Sequence, residues 1–515
     1  MGTLVIYSIV AAVFFLMIAR YDIHMFQLSS YRYIRYFRWL VPGNIVSRNR
    51  FFALLMLLPA IFPNYWGVGF ATGITGGAWA VALNEKFKTP LVYTMRVKRL
   101  LATNILLFVA IAALAILFAG KWAIAVIGAE LLFSNMLMLL ANMLNTPIEK
   151  AINRHYYNDA KRIIESHKGL IIIGVTGSFG KTSTKNYLAS VLAEKYNVLV
   201  TPGNFNTLLG VVRTIREQLR PYHQVFIVEM GAKQKNDIKE ICDLVHPAIG
   251  IVTAVGEMHL ETFKSIENIQ DTKFELINSL PAGGLGVINN DSEYIRNYKG
   301  IASRCRIIRY AVENEGEYKA SEVNYGASGV SFTINGGQKY TTRLLGTGNL
   351  LNILASIAVA DRLGVSPNKQ HNAIARLQPV EHRLSMKVAN GITVLDDAYN
   401  SNPQGARMGL EVLKNFKTGE GNKRIVITPG FVEMGSRQAE ANKELGRIIA
   451  TSCDYAIIVN ATNRDAIRSG IIEGGLAEEK YFLADSLNHA HEQLARIIRP
   501  GDVVLYENDL PDNFK

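Results

Sequence analysis

The chain has few cysteines and few charged residues, and these two shortages limit what the protein can be. Its 515 residues include three cysteines, Cys242, Cys305 and Cys453, which stand far apart. The lack of a closely spaced pair argues against a zinc knuckle, and so sparse and odd a count indicates a reduced compartment. Charged residues make up 19% of the chain and hydrophobic residues 49%. That balance is apolar for a soluble enzyme and predicts a membrane portion.

Acidic residues are scarce in the first 150 residues, which hold 4 of the 43 Asp and Glu but 13 of the 55 Lys and Arg. Most of the chain's net charge of +12 therefore lies between the apolar segments of this region. Basic loops in that setting mark the cytoplasmic face of a membrane. We therefore expect a lipid bilayer as a partner, and no nucleic acid.

The apolar segments predict about five membrane spans. Thr3–Ala19 is short for a spanning helix, but Arg20 follows it in place of the small residues of a signal-peptide cleavage site, which favours a retained anchor. Ala53–Leu83 is free of charge over 31 residues and is interpreted as a helical hairpin, or alternatively as a re-entrant segment. Leu101–Gly120 and Trp122–Leu144 are the remaining two spans.

Two basic loops, residues 20–50 and 84–99, set the expected orientation. Both should be cytoplasmic, so the N-terminus lies outside the cytoplasmic membrane and residues 146–515 lie inside, where ATP is available. Tyr31–Trp39 alternates aromatic and basic residues. This pattern is typical of a membrane interface, and its arginines are alternatively suited to the phosphates of a lipid-linked substrate.

A glycine-rich turn follows the apolar run Leu170–Val175 and precedes a helical pattern that begins at Lys185. A buried strand, a tight turn and a helix form the setting in which backbone N–H groups and a helix N-terminus bind phosphates. Val175 stands where the strict phosphate-loop pattern has Gly. The predicted nucleotide-binding residues are Thr176, Gly177, Ser178, Gly180, Lys181, Thr182 and Ser183, and Thr182 is also a predicted Mg²⁺ ligand.

This variant loop resembles the ATP-binding loop of the Mur ligases, and further motifs follow in the order of that family. They are Gly203–Thr207 (GNFNT), Val225–Gly231 (VFIVEMG), His259–Phe263 (HLETF), Asp271–Glu275 (DTKFE) and Gly346–Asn352 (GTGNLLN). Leu395–Pro403 (LDDAYNSNP) is similar to the MurF branch, which joins D-alanyl-D-alanine to UDP-MurNAc-tripeptide. The resemblance covers about residues 165–510.

The apolar spans and the resemblance together predict an α/β protein with three parts. The spans predict a helical transmembrane region over residues 1–147. The resemblance implies a phosphate-loop central domain over residues 148–383 and a Rossmann-like C-terminal domain over residues 384–515. The alternation of strand and helix patterns after Leu384 independently predicts a mostly parallel sheet. The chain departs from MurF where apolar spans replace the UDP-binding domain. It departs again after the last strand, where MurF has a Lys-Gly-Ser segment and this chain has Val504–Asp512 (VLYENDLPD).

The resemblance also implies a reaction and the residues that perform it. In the family a carboxylate attacks the γ-phosphate of ATP, and an amine then displaces phosphate from the acyl phosphate. Lys181, His259 and Lys273 are the implied catalytic residues, and Glu229 and His259 join Thr182 in binding two Mg²⁺ ions. Lys273 is carbamylated in several members; unmodified, it would pair with an acyl-phosphate oxygen. ATP would further contact Asn289, Asn352, Arg383 and Asp397. The substrates would contact Asn204, Asn206, Tyr399, Asn400 and Asn402.

We therefore expect a membrane-anchored, ATP-dependent amide ligase. Its carboxylate substrate would be lipid-linked or polymeric, and its amine donor an amino acid or a short peptide. Two other classes remain open. A nucleotide-regulated transport component would need charged residues within its spans, and Glu130 is one candidate. A catalytically inactive ATP-binding sensor would have lost a catalytic residue, whereas Lys181 and Glu229 are both present.

Overall fold

The computed structural model describes residues 2–40, 53–57, 73, 74, 76, 89–258, 260–302, 304–326, 328–399, 402–416 and 418–510. These residues form two compact units, one running from Met1 to His155 and the other from Tyr156 to Leu510. Most of the predicted hairpin Ala53–Leu83 lies outside the described residues, as do His259 and Asn400.

The described part of the first unit is helical. Its helices are Gly2–Leu28, Tyr33–Leu40, Met95–Phe118, Ala123–Leu132 and Ser134–Ser166, with a 3₁₀ turn at Gly120–Trp122. Leu4–Leu28 and Met95–Phe118 have mean hydropathies of 2.2 and 2.7 and are long enough to cross a bilayer. These two helices contain the predicted spans Thr3–Ala19 and most of Leu101–Gly120.

The predicted span Trp122–Leu144 falls on a bent pair of helices, because the chain turns by 77° between Ala123–Leu132 and Ser134–Ser166. Phe133 leaves the helical conformation, with φ −104° and ψ 28°. Ser134, the first residue after the bend, donates its hydroxyl to the buried carboxylate of Asp22 at 2.6 Å. The described residues thus contain two candidate spans, or three if the bent pair counts as one.

The second unit begins with a nine-stranded sheet. Its strands are β1 (Ile171–Thr176), β2 (Val198–Val200), β3 (Val225–Glu229), β4 (Ile249–Val252), β5 (Leu285–Asn289), β6 (Arg306–Ala311), β7 (Tyr318–Gly326), β8 (Gly329–Ile334) and β9 (Lys339–Thr342). The strand order is β2-β3-β1-β4-β5-β6-β7-β8-β9. Pairing is parallel as far as β7, and β7, β8 and β9 pair antiparallel.

Helices cover both faces of the parallel strands, as continuous apolar strands require. They are Lys181–Leu192, Leu208–Gln218, Asp237–Val245, Leu260–Phe263, Ile266–Asn278, Glu293–Arg296, Gly346–Arg362 and Pro367–Ala375. The largely apolar helix Gly346–Arg362 is buried over most of its length and packs against Lys181–Leu192, the helix that follows the phosphate loop. This packing places Asn352 next to Gly180, in the turn between β1 and the helix Lys181–Leu192.

A second sheet occupies the C-terminal part. Its strands are β10 (Ser385–Ala389), β11 (Ile392–Asp397), β12 (Arg424–Thr428), β13 (Tyr455–Val459), β14 (Tyr481–Ala484) and β15 (Val503–Glu507), in the order β10-β11-β15-β12-β13-β14. Its helices are Pro403–Asn415, Gln438–Ser452, Arg464–Glu473 and Leu487–Ile497, with 3₁₀ turns at Gly435–Arg437 and Glu478–Lys480. Apart from the β10–β11 pair the sheet is parallel, which confirms the expected α/β class.

Candidate active site

The phosphate loop connects β1 to the helix Lys181–Leu192 through two glycines with positive φ. Gly180 has φ +80°, and a Cβ there would lie 2.6 Å from Oδ1 of Asn352, so a larger residue would be strained and crowded. Gly180 is also the N-terminal cap of the helix and provides no side-chain cap. The first-turn N–H groups and the positive end of the helix dipole are therefore available to an anion.

The side chain of Lys181 folds back onto the phosphate loop. Its ammonium donates to the carbonyl oxygens of Gly177 at 2.7 Å and Ser178 at 3.1 Å. Burial lowers the pKa of Lys181 to about 8, although the carboxylate of Glu229 opposes that shift. A lysine at this position of a phosphate loop can exchange these carbonyls for the oxygens of a bound phosphate.

Glu229 is the last residue of β3 and the centre of a buried polar cluster. Its Oε1 accepts from the hydroxyl of Thr182 at 3.2 Å and from the amide of Asn206 at 3.1 Å. Its Oε2 lies 3.0 Å from Nζ of Lys185. Although burial alone would raise it, the ammonium groups of Lys185 and Lys181 hold the pKa of Glu229 below its usual value. We call Thr182, Lys185, Asn206 and Glu229 the carboxylate cluster.

The carboxylate cluster fits a magnesium ion. Mg²⁺ prefers hard oxygen ligands, and one or two protein carboxylates with a substrate phosphate are its usual set. The Thr182 hydroxyl and Oε1 of Glu229 are such ligands, and they meet next to the phosphate loop. These two residues would hold Mg²⁺, which supplies positive charge to the phosphates it binds. His259, the other predicted ligand, lies outside the described residues.

A second group of predicted residues lines one pocket between the central and C-terminal sheets. The sequence predicted seven of its lining residues: Gly180, Ser183, Asn289, Asn352, Arg383, Asp397 and Asn402. Oδ1 of Asn352 accepts from the Thr184 hydroxyl at 3.0 Å, and Nδ2 of Asn289 donates to the carbonyl of Thr253 at 2.9 Å. We call this site the hinge pocket. The residues predicted to contact the nucleotide beyond the loop therefore do come together.

Arg383 and Asp397 bring opposite charges to the hinge pocket. The guanidinium carbon of Arg383 lies 4.2 Å above the ring centre of Tyr399. Burial raises the pKa of Asp397 to about 6, while Arg383 opposes that shift, and the carboxylate accepts from the backbone N–H of Leu384 at 3.0 Å. The Tyr399 hydroxyl accepts from Nδ2 of Asn204 at 3.2 Å, which links the C-terminal domain to the loop after β2.

Several predicted ligands have local structural partners. The Thr176 hydroxyl donates to the carbonyl of Met230 at 2.8 Å, and that of Ser178 to the carbonyl of Gly256 at 3.1 Å. Asn402 caps the helix Pro403–Asn415 by accepting from two backbone N–H groups. These side chains therefore shape the site from its walls. Asn400 lies outside the described residues.

The structure also adds a residue that the sequence prediction missed. Lys185 lies one helical turn after Lys181, on the helix face that is buried against the sheet. A lysine four residues after the phosphate-loop lysine, among otherwise apolar or small buried positions, was the only available signal. Nothing local in the sequence pairs Lys185 with Glu229, which is 44 residues away.

Lys273 is a buried amine on the helix Ile266–Asn278, with 4% of its surface exposed. Burial, reinforced by the charge of Lys181, lowers its pKa to about 7. A substantial share of this amine is therefore neutral near pH 7. The neutral form is the one that reacts with carbon dioxide or accepts a proton.

Lys273→Met should stabilise the fold at neutral pH. A folded-state pKa below the unfolded value means that the unfolded chain binds more protons, so wild-type stability should rise between pH 7 and about 10. Each pKa unit corresponds to about 1.4 kcal/mol, so the variant should gain several kcal/mol at pH 7 and progressively less toward pH 10. Denaturant unfolding of the detergent-purified chain measures this. Exposed Lys299→Met is the control, and an equal gain at every pH would contradict the account.

Two family models match the chain, the Mur ligase middle domain over residues 175–360 and the Mur ligase glutamate ligase domain over residues 382–506. Similar proteins include a UDP-N-acetylmuramoyl-tripeptide–D-alanyl-D-alanine ligase of Mycobacterium tuberculosis, 32% identical over 359 residues, with 65% of this chain and 70% of that protein covered. The ligase of the same name from Bacillus subtilis is 28% identical over 347 residues, covering 66% and 73%.

Solved structures give the same result. MurF from Thermotoga maritima in complex with ADP superposes with a TM-score of 0.61 at 26% identity, covering 69% of this chain and 80% of that one. MurF from Acinetobacter baumannii, with a TM-score of 0.62 at 23% identity over 69% and 77% of the two chains, shares the fold. The family expected from the motifs is thereby confirmed, and an enzyme is favoured over a transport component or a sensor. The chain belongs to the Mur ligase family, ATP-dependent ligases that form peptide bonds.

Proposed function

We propose that the protein is a membrane-anchored ligase of the MurF branch that works in cell-wall synthesis. It activates a carboxylate as an acyl phosphate and couples it to the amine of an amino acid or short peptide. The observation that carries this proposal is the contact of Thr182 with Glu229 beside the phosphate loop, with the hinge pocket opposite. In this proposal residues 1–147 form the membrane region, 148–383 the ATP-binding domain and 384–515 the C-terminal domain.

The side chains divide the chemistry among them. A carboxylate is a poor electrophile, so it must first acquire phosphate as a leaving group, and most of the catalysis is positioning and charge neutralisation around the transferred phosphoryl group. The loop N–H groups and Lys181 face the phosphates, and Arg383 approaches them from the hinge pocket. Asn289, Asn352 and Asp397 contact the nucleoside, and Asn204, Asn206 and Tyr399 contact the substrates, together with Asn402 and Asn400.

Lys273 and His259 complete the proposed catalytic set. Low pKa and burial make the Lys273 amine suited to carbamylation, which would give it an oxygen ligand for a second Mg²⁺ ion together with His259. If Lys273 stays unmodified and protonated, it pairs with an oxygen of the acyl phosphate. In both forms it acts on the charge that develops during phosphoryl transfer.

The carboxylate substrate is proposed to be lipid-linked or polymeric. The named relatives are ligases of UDP-N-acetylmuramoyl-tripeptide and D-alanyl-D-alanine, and the two family models match residues 175–360 and 382–506, after the N-terminal helices. Those helices carry apolar side chains on their surface, including Ile9, which is 59% exposed, and Leu117, which is 73% exposed. A lipid bilayer covers such surfaces, and an anchored enzyme meets a lipid-bound acceptor at the membrane.

Phosphate release from Mg-ATP should require two additions at once, a lipid extract of the source membranes and one amine from a panel of amino acids and dipeptides. Neither addition alone gives sustained turnover, because the acyl phosphate needs both a carboxylate and an amine. Lys181→Ala, which removes the loop cation, should lower turnover at least 100-fold. Turnover with UDP-N-acetylmuramoyl-tripeptide and D-alanyl-D-alanine instead of lipid would refute the lipid-linked substrate. ATP binding without turnover under any combination would refute the ligase.

The full chain should stay in membranes after alkaline carbonate extraction. Ile9→Lys, on the exposed apolar face of Gly2–Leu28, should increase the extracted fraction, since a lysine at the centre of a span costs about 2.5–3.5 kcal/mol. The matched control is Ile472→Lys, because Ile472 is 55% exposed on the surface of the C-terminal domain. Complete extraction of the wild-type chain would contradict the anchor.

A further inference from the structure

Lys185 is a buried lysine held by two hydrogen bonds and one ion pair. The residue is 1% exposed, and its Nζ donates to the carbonyl oxygens of Thr201 and Gly203, both at 2.8 Å. The third neighbour is Oε2 of Glu229 at 3.0 Å. The contact with Oε2 is an ion pair rather than a hydrogen bond. Together these three contacts hold the ammonium in position.

This arrangement makes the two oxygens of Glu229 unequal. Oε2 is ion-paired with Lys185, whereas Oε1 accepts hydrogen bonds from the side chains of Thr182 and Asn206. Thr182 and Asn206 are neutral groups that an incoming cation can replace or join at little electrostatic cost. Lys185 is a fixed positive charge that repels a second cation from its own side. A divalent ion is thereby directed to Oε1, on the side of the phosphate loop.

The same ammonium fixes the start of the loop that follows β2. Thr201 and Gly203 precede Asn204 and Asn206, the two residues that reach Tyr399 and Glu229. The loop is also tied to β3, because the backbone N–H of Glu229 donates to the Thr201 hydroxyl at 3.0 Å. Glu229 and residues 201–206 are thus joined in two ways. Lys185 contacts both, and the Thr201 hydroxyl accepts directly from the backbone of Glu229.

We propose that Lys185 is a positioning residue with two roles. It leaves a single oxygen of Glu229, Oε1, available to Mg²⁺, and it fixes the substrate-facing loop 201–206. The inference rests on the proposed function in taking the cation to be Mg²⁺ and the loop to face substrate. A simpler role would be neutralisation of a buried carboxylate. Buried ion pairs are often replaceable by apolar residues without loss of stability, so neutralisation alone does not require a lysine that also binds two carbonyls.

Hydrogen exchange of the metal-free full chain separates the two roles. Lys185→Met should speed exchange of the Phe205 and Asn206 amides at least tenfold, because both carbonyl contacts are lost. The double variant Lys185→Met/Glu229→Gln removes both charges and so leaves no unpaired buried carboxylate. It can be studied if the single variant is too unstable. Its loop should exchange as fast as that of the single variant. Wild-type exchange in the double variant would show that Lys185 only neutralises Glu229 and would overturn the proposal.

The matched control is Lys195→Met. Lys195 also donates to two carbonyl oxygens, those of Leu363 and Gly364, both at 2.9 Å, but it is remote from the carboxylate cluster in these contacts. Exchange of the Phe205 and Asn206 amides should be unchanged in this variant. Faster exchange there would mean that any lost lysine loosens the loop, which would also overturn the proposal.

A second readout uses Mn²⁺ as a spectroscopic probe for Mg²⁺ in the presence of ADP. Electron paramagnetic resonance titration should show at least tenfold weaker Mn²⁺ binding in Lys185→Met than in the wild-type or Lys195→Met chain. Equal or tighter Mn²⁺ binding in a folded Lys185→Met chain would overturn the one-oxygen presentation. Neither readout measures ligation. A protein that shows both effects but never ligates would refute the proposed function and leave the role of Lys185 intact.

Discussion

Parallel pairing of β1 with β3 is the constraint on which the site depends. The register sets Val175 opposite Glu229, so the carboxylate comes level with the residue just before the phosphate loop. The loop and the acid are thereby brought together by backbone hydrogen bonds alone. The side chains of Thr182, Lys185 and Asn206 then fix the orientation of the carboxylate. Ligands bind at this edge of open parallel sheets because the strands end there and the loops diverge.

The site concentrates buried charge, and the fold compensates for each charge in a different way. Glu229 is paired with Lys185, Arg383 stacks on Tyr399 near Asp397, and Lys273 is left with a pKa of about 7. Bound nucleotide and metal would balance the charge of the site, because the phosphates would place negative charge next to Lys181 and Lys273. Such an unbalanced site lowers the stability of the free protein, which is a common consequence of preparing a site for a charged ligand.

The C-terminal domain contributes to the site by contact across the hinge pocket. Asn204 donates to Tyr399, and Arg437 pairs with Glu257. Apolar contacts join the two parts as well, because Leu345 belongs to the core of the C-terminal domain and the helix Gly346–Arg362 packs against Pro403–Asn415. Residues of both domains line the hinge pocket.

Local patterns allowed much of the site to be predicted from the sequence. The phosphate loop, the acid at the end of β3 and the parallel C-terminal sheet follow from short-range spacing and apolar runs, and the motif order led to Asn289, Asn352 and Arg383. Lys185 was missed because its role depends on strand pairing, which brings distant residues together. The bend at Phe133 was missed because the apolar run is continuous, whereas in the structure Phe133 has non-helical dihedral angles and Ser134 donates to Asp22.

The measurement that tests this account most directly is an experimental structure of the full chain with Mg²⁺ and a non-hydrolysable ATP analogue. A metal ion should be bound by the Thr182 hydroxyl and by Oε1 of Glu229, with Lys185 still next to Oε2 and the nucleoside in the hinge pocket. A metal bound through both oxygens of Glu229, with Lys185 displaced, would contradict the one-oxygen arrangement. Nucleotide bound away from the phosphate loop would contradict the account as a whole.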